Sequence, residues 1–340
     1  MNRRISTLLV AMAPIVAFGV LLALVTVPYV SLGPGPTFDT LGEVEGKEVV
    51  DIEGTDVHPT TGHLNMTTVS QRDGLTLGQA LTLWMSGREQ LVPRDLVYPP
   101  DKSKDEIDDA NNQEFKRSED SAEYAALGYL KYAEAVTVET VSKDGASKAK
   151  LNEGDAIDAV NGTPVSDLKQ FQSLMEKTKP GDEVTLDFRR KNAPPGVTTV
   201  KLGSAPDKEQ GVLGIGVVEA PWAPFTIDFN LANIGGPSAG LVFSLAVIDK
   251  LTTGDLSGST FVAGTGTITA DGKVGSIGGI THKILAAHDA GASVFLVPAD
   301  NCEEAKSARE DGIDLVRVEN LGGAVDALKA LSAGGEAPRC

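Results

Sequence analysis

The stretch GPSAGLVFSLAVIDKLTTG, residues 236–254, is a turn that opens into a long apolar helix. Gly236 allows a close backbone approach, and Pro237 suits the first turn of a helix, where its missing N–H is no loss. Ser238 then lies where free backbone N–H groups and the positive end of the helix dipole converge. A developing oxyanion beside Ser238 would find donors there. The stretch predicts a nucleophilic serine, although G-x-S-x-G alone also describes an ordinary capped helix start.

The residues around this stretch, 211–333, alternate between strand and helix patterns. STFVAGTGTITADGKVGSIGG, residues 259–279, predicts a hairpin that turns at Asp271-Gly272. The helix pattern ITHKILAAHDAGA follows, and then come two strand patterns, SVFLVP and IDLVRV, each with a helix behind it. This alternation is typical of an α/β domain.

A lysine in the predicted helix 280–292 is the second candidate residue. At about 100° per residue, Lys283 shares its helix face with small or apolar residues, Ile280, Ala287 and Ala290. If that face packs inward, desolvation lowers the pKa of the lysine. A neutral amine near pH 7–8 can take a proton from a serine hydroxyl. The spacing therefore favours a general base, although a helical lysine is more often a solvated surface residue.

Three motifs occur in one order along the C-terminal part of the chain. They are GPSAG at 236–240, TGTIT at 265–269 and GGITHKILAAHDAGA at 278–292. Together they resemble the proteolytic domain of Lon proteases, over about 120 residues, and that domain uses a Ser–Lys dyad. The resemblance implies a peptidase of the Lon type.

The resemblance also implies a role for each matching residue. Ser238 corresponds to the family's nucleophile and Lys283 to its base. Thr265 corresponds to a threonine near the lysine, where it helps to hold the amine. Ala239 is a second supporting residue, because the backbone N–H groups at the start of this helix would stabilise the oxyanion.

Two positions depart from the ATP-dependent Lon enzymes, which usually carry Asp before GPSAG and Glu within T-G-E-I-T. Gly235 and Thr267 occupy these positions here, so we expect the surroundings of the dyad to differ. The chain contains no G-x-x-x-x-G-K-[ST] phosphate loop, so no ATPase module is predicted. With only four histidines in the chain, a metal cluster is not expected either, and neither is a cofactor.

Residues 130–204 resemble a PDZ domain. GDAIDAVNG, residues 154–162, matches the GD-x-I-x-x-V-N-G run of that family and includes a tight Asn-Gly turn. PDZ domains add an extended peptide to a sheet edge and capture its carboxylate with backbone N–H groups. The family's G-L-G-F loop is absent, and a purely structural role stays open. The nearest counterpart, a possible peptide-binding loop, consists of Leu127, Gly128, Tyr129 and Leu130.

The N-terminal residues Ile5 to Val30 carry no charge and are long enough to cross a bilayer core of about 30 Å. The competing interpretation is a cleaved signal peptide, whose apolar region would be shorter and would end in a small-x-small site. Arg3 and Arg4 precede the run, which places the N-terminus in the cytoplasm. We therefore expect a single-pass cell-membrane protein with its catalytic domain outside the cytoplasm.

The predicted fold class is a multidomain combination of α/β and α+β parts. The predicted divisions are a cytoplasmic tip and transmembrane anchor (1–32), a small β-rich segment with helices and an exposed charged stretch (33–129), the PDZ-like domain (130–204), the Lon-type α/β proteolytic domain (205–333) and a tail (334–340). The charged stretch PPDKSKDEIDDANNQEFKRSED, residues 99–120, is interpreted as a solvated face without functional weight.

The charge and the cysteines limit the possible partners and compartments. A formal charge of -17 at pH 7, with no basic stripe to offset it, argues against nucleic acid as a partner. Cys302 and Cys340 fit no zinc or redox spacing. They are either two unrelated thiols or a disulfide that pins the C-terminus, which requires an oxidising compartment.

These features predict an ATP-independent serine endopeptidase that cleaves unfolded or membrane-derived polypeptides on the outer side of the cytoplasmic membrane. Because relatives of the Lon domain form rings, the resemblance also implies a homo-oligomer, with a hexamer as its form. Two alternatives stay open. One is a membrane-tethered PDZ scaffold without catalytic activity. The other is an α/β-hydrolase, whose triad would draw on His282 or His288 with Asp249 or Asp255.

Overall fold

The computed structural model describes residues 3–206, 208–232, 234–308 and 310–340, with side chains from residue 10 onward. The described helices are α1 (Arg3–Leu24), α2 (Leu77–Ser86), α3 (Arg94–Val97), α4 (Lys104–Tyr129), α5 (Leu168–Met175), α6 (Gly240–Leu251), α7 (Ile280–Ala290), α8 (Cys302–Lys306) and α9 (Leu321–Ser332), with a 3-10 turn at Ala299–Asn301. The described strands are β1 (Tyr29–Asp39), β2 (Glu43–Val44), β3 (Lys47–Glu48), β4 (Val50–Glu53), β5 (His63–Arg72), β6 (Gln90–Pro93), β7 (Glu134–Val141), β8 (Ala156–Val160), β9 (Thr163–Pro164), β10 (Glu183–Arg189), β11 (Gly196–Lys201), β12 (Gly203–Ala205), β13 (Lys208–Val212), β14 (Ile215–Pro221), β15 (Thr226–Phe229), β16 (Phe261–Gly264), β17 (Thr267–Ile268), β18 (Val274–Gly275), β19 (Val294–Pro298) and β20 (Asp314–Val318).

Helix α1 covers most of the predicted membrane anchor, and strand β1 begins at Tyr29. The anchor residues before Val10 lie outside the described side chains. Within the part that the structure describes, no helix is both long and apolar enough to cross a membrane.

A mixed sheet with the strand order β20-β19-β16-β5-β1-β6 forms the centre of the catalytic half. Strands β16, β19 and β20 are mutually parallel, as the α/β pattern predicted. Strand β5 is parallel to β16 and pairs antiparallel with β1. Segment 33–129, predicted to be separate from domain 205–333, shares this sheet with it, because β5 satisfies the open edge of β16.

Helix α6 lies at the centre of the main hydrophobic core, in contact with α4, α9 and strand β5. Every residue from Gly240 to Lys250 is buried. This explains why its sequence is apolar on all sides rather than on one stripe. The surrounding elements fix the position of the first turn of α6, and Ser238 lies two residues before that helix.

A second sheet, with the order β11-β10-β8-β7-β14, forms the PDZ-like domain. Its separate core combines alternate strand residues with Phe171 and Met175 of α5. The predicted Asn-Gly turn is confirmed, since Asn161 and Gly162 have φ values of 50° and 73°. Strand β14 pairs with β7, so the domain continues past its predicted end at residue 204. Strand β14 completes this sheet, although its residues were predicted to belong to the proteolytic domain 205–333.

The charged stretch 99–120 is mostly helix. Helix α4 begins behind a capping box, in which Ser103 and Glu106 satisfy each other's backbone N–H groups. The residues of α4 before Phe115 are mostly exposed, whereas Phe115, Ser118 and later residues of the helix are buried beside α6. The helix that contains the charged stretch therefore packs against α6, the helix that follows the candidate nucleophile Ser238.

Of the two alternatives for the cysteines, the structure contains the disulfide between Cys302 and Cys340. The tail is also held by its backbone. The N–H of Cys340 donates to the carbonyl of Leu315 at 3.1 Å, and the N–H of Arg317 donates to that of Pro338 at 2.9 Å. The predicted tail 334–340 thus packs along strand β20.

Candidate active site

The nucleophile turn, residues 235–239, presents Ser238 half-buried in front of α6. Gly236 has a φ of 89°, a conformation that favours glycine. A Cβ added to Gly240 would lie 2.8 Å from a methyl carbon of Ile268 and 3.1 Å from the Ser118 hydroxyl oxygen. Both glycines of the G-P-S-A-G motif are therefore required, the first by backbone conformation and the second by close packing.

The residues that follow β16 hold Ser238 by its own carbonyl. The N–H of Gly266 donates to this carbonyl at 3.0 Å, and the hydroxyl of Thr265 donates to it at 3.1 Å. Thr265 is fully buried. Because its proton points to the carbonyl, its oxygen is left to accept a hydrogen bond from another donor.

That donor is Lys283, in the first turn of α7. Its Nζ lies 2.7 Å from Ser238 Oγ and 2.9 Å from Thr265 Oγ1. The lysine is only 3% exposed, and burial lowers its pKa to about 8. Of its three predicted helix-face neighbours, Ile280 and Ala287 are buried and Ala290 is exposed. The structure thus brings the two candidate catalytic side chains into direct contact.

Two backbone N–H groups at the nucleophile turn remain available to a substrate. Within the described residues, neither the N–H of Ser238 nor that of Ala239 donates a hydrogen bond. Both lie at the N-terminal end of α6, where the helix dipole favours negative charge. An oxyanion beside Ser238 Oγ would find its donors here. This placement agrees with the supporting role predicted for Ala239.

A cleft of about 920 Å³ opens in front of the dyad. Strand β5 supplies one wall, with Met66, Thr68 and Val69. Helix α4 supplies another, with Asp108, Asn111, Asn112, Glu114 and Phe115. Part of the charged stretch, interpreted from its sequence as a solvated face, therefore lines the cleft. The Ser103-x-x-Glu106 spacing is a capping signal from which the start of this helix can be predicted. No sequence signal indicates that the helix faces the serine.

The residues of the alternative hydrolase triad do not meet Ser238. The described hydrogen bond of its hydroxyl is with Lys283. His282 is buried, neither of its ring nitrogens has a partner among the described residues, and burial lowers its pKa. Asp249 accepts from the N–H of Leu256 on the far end of α6. In the described part of the chain, no group of three or more His, Cys, Asp or Glu could hold a metal ion.

The prediction of a peptide-binding loop at 127–130 is wrong. Leu127, Gly128 and Tyr129 form the last turn of α4, Leu130 is its C-cap, and Leu127 is fully buried. Backbone N–H groups that already donate within a helix are not free to bind the backbone or carboxylate of a peptide. The outer strands of the PDZ-like sheet are β11 and β14, and β14 packs near α5.

Comparison with known proteins identifies both domains. Residues 233–329 match the family model of the Lon protease (S16) C-terminal proteolytic domain, and residues 113–200 match that of the PDZ domain. The Lon protease of Clostridioides difficile is 36% identical over 142 residues, which make up 37% of this chain and 18% of that protein. The Lon protease of Roseiflexus castenholzii is 42% identical over 89 residues, 25% of this chain and 11% of that protein.

Among solved structures, the PDZ domain of an SdrC-like protein from Listeria monocytogenes is 24% identical, with a TM-score of 0.24. The match covers 25% of this chain and 87% of that one. The chain spans less than a fifth of the length of the two curated relatives. Both resemblances predicted from the sequence are confirmed: the chain carries a PDZ domain and a proteolytic domain of the Lon type, which is a serine-type peptidase domain.

Proposed function

We propose that this protein is an ATP-independent serine endopeptidase in which Ser238 and Lys283 form the catalytic dyad. The observation that carries the proposal is the 2.7 Å contact between Lys283 Nζ and Ser238 Oγ, made by a buried lysine whose pKa is lowered to about 8. A neutral amine in this position can accept the serine proton at mildly alkaline pH. The absence of a phosphate-loop motif in the sequence supports independence from ATP.

The contacts assign a step to each residue. Thr265 accepts an N–H from Lys283, so the lone pair of the neutral amine is free for the Ser238 proton. Ser238 Oγ then bonds to the scissile carbonyl carbon while its proton passes to Nζ. The proton is transferred to the leaving nitrogen as the C–N bond breaks, which leaves an ester on Ser238. Water, deprotonated by Lys283, hydrolyses this ester and restores the dyad.

The N–H groups of Ser238 and Ala239 stabilise the oxyanion in both halves of the reaction. The substrates are proposed to be unfolded or membrane-derived polypeptides, and the cleft of about 920 Å³ between β5 and α4 supports binding of such a chain in extended form. Strand β14 and helix α5 are where the PDZ domain would add a peptide and recruit it.

The protein is further proposed to be anchored in the cell membrane, with its catalytic domain outside. The uncharged run from Ile5 to Val30 and the preceding Arg3 and Arg4 support this orientation. Exposed apolar side chains on α1 and the disulfide between Cys302 and Cys340 support it as well, the latter because disulfides persist in oxidising compartments. A homo-hexamer is proposed from the Lon resemblance alone.

The test is cleavage of an unfolded protein by the full chain in lipid vesicles, with and without ATP. Wild type should cut equally well in both, whereas Ser238→Ala and Lys283→Ala, shown to be folded by circular dichroism, should not cut. Equal cleavage by the variants contradicts the dyad. A wild type that cuts nothing supports the scaffold alternative.

A further inference from the structure

Helix α4 lies across the nucleophile turn and bonds to it at two points. The N–H of Gly236 donates to the carbonyl of Asn111 at 3.0 Å. The hydroxyl of Ser118 donates to the carbonyl of Pro237 at 3.1 Å. These bonds hold the two residues that precede the nucleophile, while Thr265 and Gly266 hold the carbonyl of the nucleophile itself.

The bond from Ser118 fixes one particular peptide plane. The peptide unit between Pro237 and Ser238 is planar and trans, so its C=O and N–H point in opposite directions. An acceptor bond that orients the Pro237 carbonyl therefore orients the Ser238 N–H as well. This N–H has no partner among the described residues and lies where the oxyanion forms.

We propose, on the basis of the peptidase function above, that Ser118 is a positioning residue that sets the oxyanion-binding N–H of Ser238 through the Pro237 carbonyl. Ser118 is 5% exposed and is not among the residues of α4 that line the cleft, so it acts through this peptide and does not touch substrate. Residue 240 is glycine, and a Cβ added there would lie 3.1 Å from the Ser118 oxygen, so a larger residue would crowd this hydroxyl.

Helix α4 is suited to this role because it is fixed on its other side too. Lys191, which follows strand β10 of the PDZ-like sheet, pairs with Glu123 of α4, and these side chains are only 18% and 15% exposed. One turn beyond Ser118, the carbonyl of Ala122 accepts the hydroxyl of Ser244 from α6 at 3.2 Å. The helix is thus held between the PDZ-like domain and the catalytic core.

Ser244 provides a matched control for Ser118. Both are buried serines at the contact of α4 with the catalytic core. Ser118 donates to Pro237 in the nucleophile turn, whereas Ser244 donates to the carbonyl of Ala122 and to that of Gly240 in its own helix, outside residues 235–239. The variants are Ser118→Ala, Ser118→Cys and Ser244→Ala in the full chain. For each we would measure kcat and KM for an unfolded protein, the pH midpoint of activity and the thermal unfolding temperature.

Ser118→Ala should lower kcat about tenfold to a hundredfold, the scale expected when a catalytic group is misplaced. KM and the pH midpoint should not change, because the cleft and Lys283 are intact. Ser118→Cys, a weaker donor of similar size, should be intermediate. Ser244→Ala should lower the unfolding temperature by about as much as Ser118→Ala does, but should leave kcat nearly unchanged.

An equal kcat for the two alanine variants would overturn the positioning role, as would a rise in KM with kcat preserved. If Ser118→Ala fails to fold, the comparison of Ser118→Cys with Ser244→Ala still decides. A wild-type protein that cleaves nothing would instead contradict the peptidase function, so the two failures are distinguishable.

Discussion

Two buried lysines of the same catalytic half, Lys283 and Lys250, differ in what they contact. Lys250, at the end of α6, is 6% exposed and bonds to the carboxylate of Glu48 at 2.5 Å and to the carbonyl of Val50 at 2.6 Å. Lys283, in the first turn of α7, is 3% exposed and bonds only to hydroxyls among the described residues.

The difference shows that burial alone does not make a base. A carboxylate beside an ammonium compensates for the hydration lost on burial and stabilises the charged form. Hydroxyls compensate much less, so desolvation dominates at Lys283 and the proton is held weakly. The amine that faces the nucleophile is the one without a carboxylate partner.

Replacement by arginine should show the largest difference in effect on cleavage between positions 283 and 250. Lys283→Arg should reduce cleavage about 10⁴-fold or more, because a guanidinium stays protonated and cannot accept the Ser238 proton. Lys250→Arg should keep most of the activity, since Arg can still pair with Glu48. The measurement is kcat/KM on an unfolded protein, with folding checked by circular dichroism. Similar activities for the two variants would contradict the distinction.

Replacement of Lys283 and of Lys250 by methionine should change the stability of the protein in opposite directions. The folded-state pKa of Lys283 is about 8, below its ordinary 10.5, so the folded protein carries a penalty for charging this amine. The penalty is fully present below pH 8 and disappears as the pH rises through 10.5. Lys283→Met should therefore raise the free energy of unfolding at pH 7 by about 1–3 kcal/mol, a range bounded above by the pKa difference.

Lys250→Met is the counterpart of this experiment. It should lower the free energy of unfolding by about 1 kcal/mol, because Glu48 and the Val50 carbonyl lose their partner while Glu48 remains half exposed to water. Urea unfolding at pH 7 and pH 10 measures both variants. A destabilised Lys283→Met at pH 7 would show that the hydroxyl contacts outweigh the desolvation.

Thr265→Val tests the Thr265 hydroxyl, which contacts Lys283 where Lys250 has a carboxylate partner. Valine has nearly the same shape but can neither accept from Lys283 nor donate to the Ser238 carbonyl. We expect kcat to fall about tenfold to a hundredfold through misorientation of the amine. Thr269→Val, in the exposed turn after β17, is the control and should leave kcat unchanged. A loss confined to KM would place Thr265 in substrate binding instead.

Local patterns made Ser238 and Lys283 candidates, and the resemblance of three motifs to Lon proteases assigned them the roles of a dyad. Helical spacing put Lys283 among apolar residues, and the G-P-S-A-G motif put Ser238 before an apolar helix. The α/β alternation and the Asn-Gly turn of the PDZ domain were equally local. The structure contains the parallel strands and the Asn-Gly turn, and it brings Ser238 and Lys283 into contact.

The contacts of α4 could not be predicted in the same way. Ser118 and Pro237 are 119 positions apart, and a charged stretch with this composition is ordinarily a solvated surface. The completion of the PDZ-like sheet by β14, and of the catalytic sheet by β1 and β5, likewise depends on pairing between distant strands. Strand pairing of this kind is set by edges that the rest of the fold leaves open.

The pH profile should show the smallest of these effects and tests the comparison in the unmodified protein. The base is the neutral amine, and with a pKa of about 8 roughly a tenth of Lys283 is neutral at pH 7 and about nine tenths at pH 9. Activity should therefore rise about tenfold between these values, with its midpoint near pH 8. The measurement is kcat/KM from pH 6 to 9 at constant ionic strength, and Lys250→Arg should share the wild-type midpoint because its site is separate from the dyad. A flat profile over this range would mean that Lys283 does not gain its function by losing a proton, and the contrast with Lys250 would then be one of packing alone.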